Sequence, residues 1–380
     1  MQRDHFDSDH DSFRDSVRRY LAREVIPHQS QWEADGIVPR KAWLGMGEQG
    51  FLLTWLDESL GGAGLSDFRF EQVLLEELAA INETGLFVGL HSSTVAPYLA
   101  KFGSREQQQR YLPAAARGEC LLAVAMTEPG TGSDLAGMRT TAVRDGEHWV
   151  LNGAKTFISN GICADLVIVA ARTVPDKPHG VGLFLVERDM PGFERGRQMD
   201  KLGMRAQDTS EMFFNGVRVP ASHVLGEPTQ GFRMLMQSLA QERLVAACAA
   251  VAGARAALQV TVEYVKQRKA FGQRVADFQN TRFTLAALQT QIDAAQAFTD
   301  HCVRLHNKQQ LSPELAAEAK LLTTELLGRA TDEGVQLHGG YGYMWEYPIC
   351  RMYANARIQR IFAGTSEVMK EIIGRKLLAE

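Results

Sequence analysis

Apolar positions along the 380-residue chain change their spacing twice. Up to about Gly118 they recur at helical intervals. Phe13, Val17, Tyr20 and Leu21 share one face, and Pro27 is expected to stop that helix. Residues 70–81 carry a second apolar stripe. Ser104 and Gln107 form a capping box that opens a third helix, with Pro113 expected to end or kink it. From about Leu121 to Gly231 the pattern shortens to β-prone runs. "DLVIVAAR" and "VGLFLVE" read as buried strands. The Asp145-Gly146, Asn152-Gly153 and Asn215-Gly216 dipeptides read as hairpin turns, the first two of type I′. Nothing alternates regularly with helices, which disfavours a parallel βαβ sheet. From Phe232 onward long helical patterns return. "ERLVAACAAVAGARAALQVTVEYVKQR" is apolar on much of its surface, as a helix buried among others would be. Ser312-Pro313-Glu314 starts the next helix, which runs towards Gly339-Gly340, and Thr365 or Ser366 caps the last. The expected architecture is a multi-domain α+β chain. It comprises an N-terminal helical domain (1–120), a middle antiparallel β domain (121–231) and a C-terminal helical bundle (232–380).

Composition narrows the function classes. Hydrophobic residues make up 45% and charged residues 23%, with a net charge of -4. That balance argues against a phosphate-neutralising nucleic-acid binder. The acidic start "MQRDHFDSDHDS" does not read as a targeting segment, and the longest apolar run, Leu244 to Ala254, falls short of the ~18 residues of a membrane span. Cys120, Cys163, Cys248, Cys302 and Cys350 are widely spaced and odd in number, as expected of reduced thiols in a cytoplasmic setting. The ten histidines show no metal-ligand spacing.

The stretch most suggestive of chemistry is "MTEPGTGSDLAG", residues 126–137. It fails as a dinucleotide fingerprint, because Leu135 stands where the third small residue is needed and no strand-turn-helix unit surrounds it. Two readings remain. It is a plain β-domain turn, or it is a cradle in which backbone N–H groups and the Thr127 and Ser133 hydroxyls hold a phosphate or the polar edge of a ring.

With "NGAKTFISNG", "RKAFG", "QLHGGYGY" and "AGTSEV", this loop resembles, in the same order and over essentially the whole chain, the acyl-CoA dehydrogenase family. The resemblance implies FAD-dependent α,β-dehydrogenation of an acyl-CoA thioester to the trans-2-enoyl product, with electrons passed to an electron-transfer flavoprotein. It implies flavin contacts at Met126, Thr127, Phe157 and Ser159, and pyrophosphate contacts at Gly132 and Ser133, the latter also touching CoA. Many relatives carry Trp at the Phe157 position; without the motif Phe157 reads as a core aromatic. Arg268, Phe271, Gln279, Gln336 and Gly340 resemble residues that reach the cofactor of a neighbouring subunit, which implies a dimer or tetramer; alone, Arg268 reads as a solvated helix end. Thr365 and Glu367 resemble phosphate and ribityl contacts at a helix start. Arg243 and Gly364 correspond to substrate-side positions, with Asp or Glu partners expected for Arg243.

The reaction needs a carboxylate to take the α-proton. Many relatives place a Glu just before the final Gly-Thr, where this chain has Ala363. Either the chain is inactive or another carboxylate serves. Glu242 of "QERLV" matches the base of the long-chain and isovaleryl branches, which also lack the other Glu; from composition alone it reads as a helix-start carboxylate. Glu367 is the less favoured alternative. An O₂-using oxidase and a non-catalytic acyl-CoA or nucleic-acid binder on the same fold are the competing functions. The branch and "GYGYMWEYP" favour long or branched chains. Ala246, Ala247, Ala249 and Ala250 either leave room for an acyl tail or simply pack helices closely.

Overall fold

A computed structural model describes residues 3–175 and 177–379. The first part is helical: α1 (Ser8–Tyr20), α2 (Gln29–Asp35), α3 (Arg40–Glu48), α4 (Phe68–Ala80), α5 (Ala96–Phe102) and α6 (Arg105–Ala116). Strands follow: β1 (Leu122–Ala125), β2 (Thr141–Asp145), β3 (His148–Ser159), β4 (Leu166–Arg172), β5 (Val181–Glu187), β6 (Phe193–Gln198), β7 (Thr209–Pro220) and β8 (Val224–Leu225). The chain then forms α7 (Gly231–Gln267), a small hairpin of β9 (Lys269–Ala270) and β10 (Gln273–Arg274), α8 (Gln279–Asn307), α9 (Pro313–His338), α10 (Pro348–Ala356) and α11 (Ser366–Leu377).

The capping signals act where the sequence places them. Ser104 and Gln107 form a reciprocal capping box, Ser312 Oγ accepts from Leu315 N, and Thr365 Oγ1 accepts from Val368 N. Both proline expectations need correction. Pro27 lies in a short 3₁₀ turn after a π-type turn at Leu21–Val25, and the helix resumes at Gln29, so Pro27 shifts the helical register without ending the run. Pro113 lies inside α6, which continues to Ala116. So near the helix end, its missing N–H removes one bond and ends nothing.

The sheet runs β6-β7-β3-β2-β4-β5-β8, with β1 on β4. It is mixed, which corrects the antiparallel expectation: β1 and β2 both pair with β4 in parallel. After β1 the chain makes a long loop and the β2–β3 hairpin, then returns beside β1 in the same direction. β4 and β5 are apolar throughout because both their faces are covered. Leu166, Ile168, Leu183 and Leu185 pack on the N-terminal helices, while Val167, Val169, Phe184 and Val186 fill the interior on the sheet's other side.

Of the three Xaa-Gly hairpins, only one is a turn. Asp145 pairs with His148, so the turn is Gly146-Glu147, and only Gly146 has positive φ; a type I′ turn needs two such residues. Asn152-Gly153 and Asn215-Gly216 instead face each other inside the long β3–β7 ladder. The register shifts there, and Gly216 N donates to Asn152 Oδ1 at 2.9 Å. They form a β-bulge that coils the sheet.

Helices α7, α8 and α9 build the C-terminal core around Val251, Leu258, Ile292 and Leu327. α7 is also bound to α4, through Leu75 against Leu244, Val245 and Cys248. Among the described residues α7 is the one helix long and apolar enough to cross a membrane. Two-thirds of its most apolar stretch (67%) is buried inside the fold, as in a core helix. All five cysteines are free thiols.

Candidate active site

A cavity of about 260 Å³ opens where the three parts meet. The β side contributes Met126 and Thr127 at the end of β1, and Phe157, Ile158 and Ser159 at the end of β3. The N-terminal helices contribute Leu75, Leu78 and the Asn82–Leu90 turn, and α7 contributes Glu242, Val245, Ala246, Ala249 and Gly253. Phe362 and Ala363 close it from the turn before α11, where Phe362 stacks on Phe87 at 6.2 Å.

One buried ion pair fixes the β side. Lys155 is fully buried on β3, and its ammonium donates to Met126 O at 3.0 Å and Glu128 Oε1 at 2.8 Å. Glu128 also accepts from Arg139 N and Thr140 N, and Thr156 N donates to Thr127 O. Both ends of the 126–140 loop are thus tied to β3. Burial lowers the Lys155 ammonium while the Glu128 carboxylate pulls it upward, and Lys155 in turn holds the Glu128 carboxyl below its usual range.

Two carboxylates line the cavity. Glu83 is committed: one oxygen accepts from Gly85 N and Leu86 N, the other from the Gln29 amide. Glu242 is not. It lies well inside α7, so the helix-start reading is wrong. Its Oε1 accepts from the Tyr98 hydroxyl at 2.8 Å, and its Oε2 takes no hydrogen bond among the described residues. Burial pushes the Glu242 carboxyl up to about 7, against the opposing pull of Tyr98, Arg243 and Lys101. A carboxylate balanced near neutrality inside an apolar cavity suits a general base. Glu367, the alternative base, is exposed in the first turn of α11 and does not line the cavity.

The other expected site residues fall into separate groups. Arg268, Gln336 and Gly340 meet in a second, open cleft of about 600 Å³ between the ends of α7 and α9, where Arg268 lies over the Tyr341 ring at 5.5 Å. Phe271, 95% exposed, and Gln279, also exposed, project from the same end and line neither this cleft nor the central cavity. Gly132 and Ser133 lie on the exposed crest of the 126–140 loop, and a Cβ at Gly132 would meet nothing. Gly364, at φ +92°, presents its carbonyl to the buried Lys320 ammonium at 2.5 Å. Arg243 needs correction. It does not line the cavity and, among the described residues, forms no ion pair with a carboxylate; Nη1 donates to Pro313 O at 3.5 Å, and the buried Nε has no hydrogen-bond partner among them. The guanidinium reaches the start of α9 at Pro313.

Residues at the cavity mouth fit a flat ring with a polar edge. Phe157 is 67% exposed although it sits in a sheet otherwise buried at that end, and it holds a left-handed φ of +58°. An exposed aromatic in a strained conformation marks a contact surface. Beside it, the Thr127 and Ser159 hydroxyls make no side-chain hydrogen bond among the described residues, which leaves donors for a heteroaromatic edge. The donor set fits the flavin of FAD.

Family models match all three parts of the chain: "Acyl-CoA dehydrogenase, N-terminal domain" over residues 7–119, "middle domain" over 123–217 and "C-terminal domain" over 229–378. The chain belongs to the acyl-CoA dehydrogenase family. It is similar to the long-chain specific acyl-CoA dehydrogenase, mitochondrial, of Mus musculus, with 48% identity over 99% of this chain and 88% of that one. Its fold is similar to the crystal structure of acyl-CoA dehydrogenase from Geobacillus kaustophilus (TM-score 0.97, 46% identity, 99% and 100% of the two chains). It is also similar to a glutaryl-CoA dehydrogenase from Mycobacterium smegmatis solved in complex with FADH2 (TM-score 0.92, 30% identity, 99% and 96%). As a member of the acyl-CoA dehydrogenase family, the chain is an FAD-dependent oxidoreductase acting on acyl-CoA thioesters.

Three acyl-CoA dehydrogenase site features escaped the sequence reading. Tyr98 lies 144 positions from Glu242, and nothing local marks it as a partner. Lys320 looks like an ordinary surface residue of a helix. Lys155, in contrast, stands inside the "NGAKTF" motif, where a lone basic residue between β-prone neighbours was a usable signal.

Proposed function

We propose that this acyl-CoA dehydrogenase acts on long-chain acyl-CoA, with Glu242 as the base and an electron-transfer flavoprotein as acceptor. The observation that carries the reading is Glu242 itself, the cavity carboxylate with an uncommitted oxygen. FAD, held at Met126, Thr127, Phe157 and Ser159, supplies the acceptor for the β-hydride. Glu242 takes the α-proton, and the product is the trans-2-enoyl thioester. The apolar walls at Leu75, Leu78, Val245 and Ala249 exclude water and leave the acyl tail a dry path between α4 and α7. That path, together with the similarity to a long-chain enzyme, supports the substrate class.

Anaerobic mixing of the FAD-loaded protein with acyl-CoA thioesters of increasing length tests this. Flavin bleaching should be fastest with a long chain such as palmitoyl-CoA. Fastest bleaching with butyryl-CoA would rule out the long-chain assignment. Rapid colour return in air would favour the oxidase.

A second subunit completes the reading. Arg268, Phe271, Gln279, Gln336 and Gly340 cluster away from the cavity and fit contacts to a neighbour's FAD. Arg268→Ala should therefore lose FAD content and oligomer size together. Normal values of both in gel filtration and absorbance would remove the cross-subunit role.

A further inference from the structure

We propose that Tyr98 is a positioning residue for proton abstraction: its phenol holds the Glu242 carboxylate by one oxygen and leaves the other for the α-proton. This inference rests on the reading of Glu242 as the base.

The geometry favours a built contact over incidental packing. Tyr98 is completely buried on α5, and its O–H to Glu242 Oε1 distance is 2.8 Å. α5 continues directly from a π-type turn, Gly89–Val95, whose Gly89, Leu90 and Thr94 line the acyl cavity. The neighbouring residue is stitched to the same segment: Gln241 Nε2 donates to Ser93 O at 2.8 Å, and Lys101 Nζ donates to Gln241 Oε1 at 3.3 Å. Three contacts therefore hold the Gln241–Glu242 step of α7 against an element from the other end of the chain.

A buried carboxylate without a donor would hold its proton well above neutrality. A hydrogen bond from a neutral phenol stabilises the ionised form without forming an ion pair, so the carboxylate is ionised yet still basic. Few other charged groups face Glu242. Lys101 on α5 and Arg243 on α7 act on it through space, neither forms an ion pair with it, and none is contributed from α4, α8 or α9 among the described residues. The Tyr98 phenol is itself pushed well above its usual range by burial and by Glu242, so it stays a donor throughout the working pH.

Tyr98→Phe keeps the ring and removes only the donor. Two measurements apply, on wild type, Tyr98→Phe and Glu242→Gln. The first is the pH dependence of anaerobic flavin bleaching by palmitoyl-CoA. The second, independent of turnover, is an infrared pH titration of the protonated carboxyl band that Glu242→Gln abolishes. In Tyr98→Phe both midpoints should move up by about one to two pH units from a wild-type value near 7, with FAD content unchanged. Bleaching in the variant should recover towards the wild-type rate at alkaline pH. Unchanged midpoints in Tyr98→Phe, with Glu242→Gln inactive, would overturn the role of Tyr98 and leave Glu242 as the base. Undiminished bleaching in Glu242→Gln would instead remove the base and the Tyr98 proposal with it. Should Tyr98→Phe fail to fold, 3-fluorotyrosine at position 98 preserves the packing and is a stronger donor. It should move both midpoints down, and no movement would overturn the proposal.

Discussion

Glu242→Gln should slow anaerobic flavin bleaching by on the order of 10⁴ or more, because removal of the α-proton is obligatory and general bases contribute up to about that factor. The amide keeps the side chain's length and can still accept from Tyr98, but it cannot take a proton. FAD content should be unchanged, since Met126, Thr127, Phe157 and Ser159 lie on the β side of the cavity. Stability separates this from misfolding. Burial raises the Glu242 carboxyl from 4.5 to about 7, so the native state binds more protons than the unfolded chain between those values. Its contribution to stability is therefore complete below pH 4.5 and declines as pH rises to about 7. Gln carries no such penalty, and the variant should unfold no more readily than wild type at alkaline pH. Adding Ala363→Glu should restore some bleaching, because position 363 lines the same cavity from a different segment, the turn before α11. Preference for acyl length should shift with it. Wild-type bleaching in Glu242→Gln would disprove the assignment.

Lys155→Met should destabilise the protein by about 3–5 kcal/mol, the usual cost of breaking a buried pair by removing one partner. Glu128 would keep its two backbone donors but lose its cation in a site closed to water. Met126 O would lose its ammonium donor, leaving Thr156 N on Thr127 O as the remaining tie of this end of the loop to β3, so FAD retention should fall as well. Exchanging both partners, as Lys155→Met with Glu128→Leu, should recover part of the stability without restoring FAD binding. Chemical denaturation followed by tryptophan fluorescence measures the first effect, and flavin absorbance after desalting the second. Wild-type stability in the single variant would show that the pair does not anchor the loop.

The order of elements was legible because capping and periodicity are local. Ser104, Ser312 and Thr365 cap in the structure the helices they cap in sequence, and the double-faced burial of β4 and β5 follows from their uninterrupted apolar runs. The failures share one cause, which is that the deciding partner lay far along the chain. Asn152-Gly153 and Asn215-Gly216 each have hairpin chemistry, but they face each other across β3 and β7, where the ladder shifts register in a bulge. On α4, three carboxylates, Glu71, Glu76 and Glu77, fall within seven residues. All three are buried, Glu71 by the Thr54 and Ser93 hydroxyls, and Glu76 and Glu77 by Arg3, Arg14 and Arg18. In the site, the missing acid at 363 and the acid at 242 pointed to a base. The resemblance put Arg243 on the substrate side near the base, but adjacent positions on a helix point about 100° apart and Arg243 does not line the cavity that Glu242 lines. Tyr98 carried no signal at all.

Helix α7 carries Glu242 in its first half and stops at Arg268. At 1.5 Å per residue the two are about 40 Å apart on one rod. Such a rod is a lever: a tilt of about one degree at the Arg268 end swings the carboxylate by roughly 0.7 Å, against a tolerance for proton transfer of about 1 Å. Alignment of the base then depends on the seating of the far end of α7 as well as on the local contacts from Tyr98, Ser93 and Lys101. A change that tilts α7 without disturbing the flavin contacts at Met126, Thr127, Phe157 and Ser159 would leave FAD bound yet slow proton transfer, a defect visible as slow bleaching in fully flavinated protein.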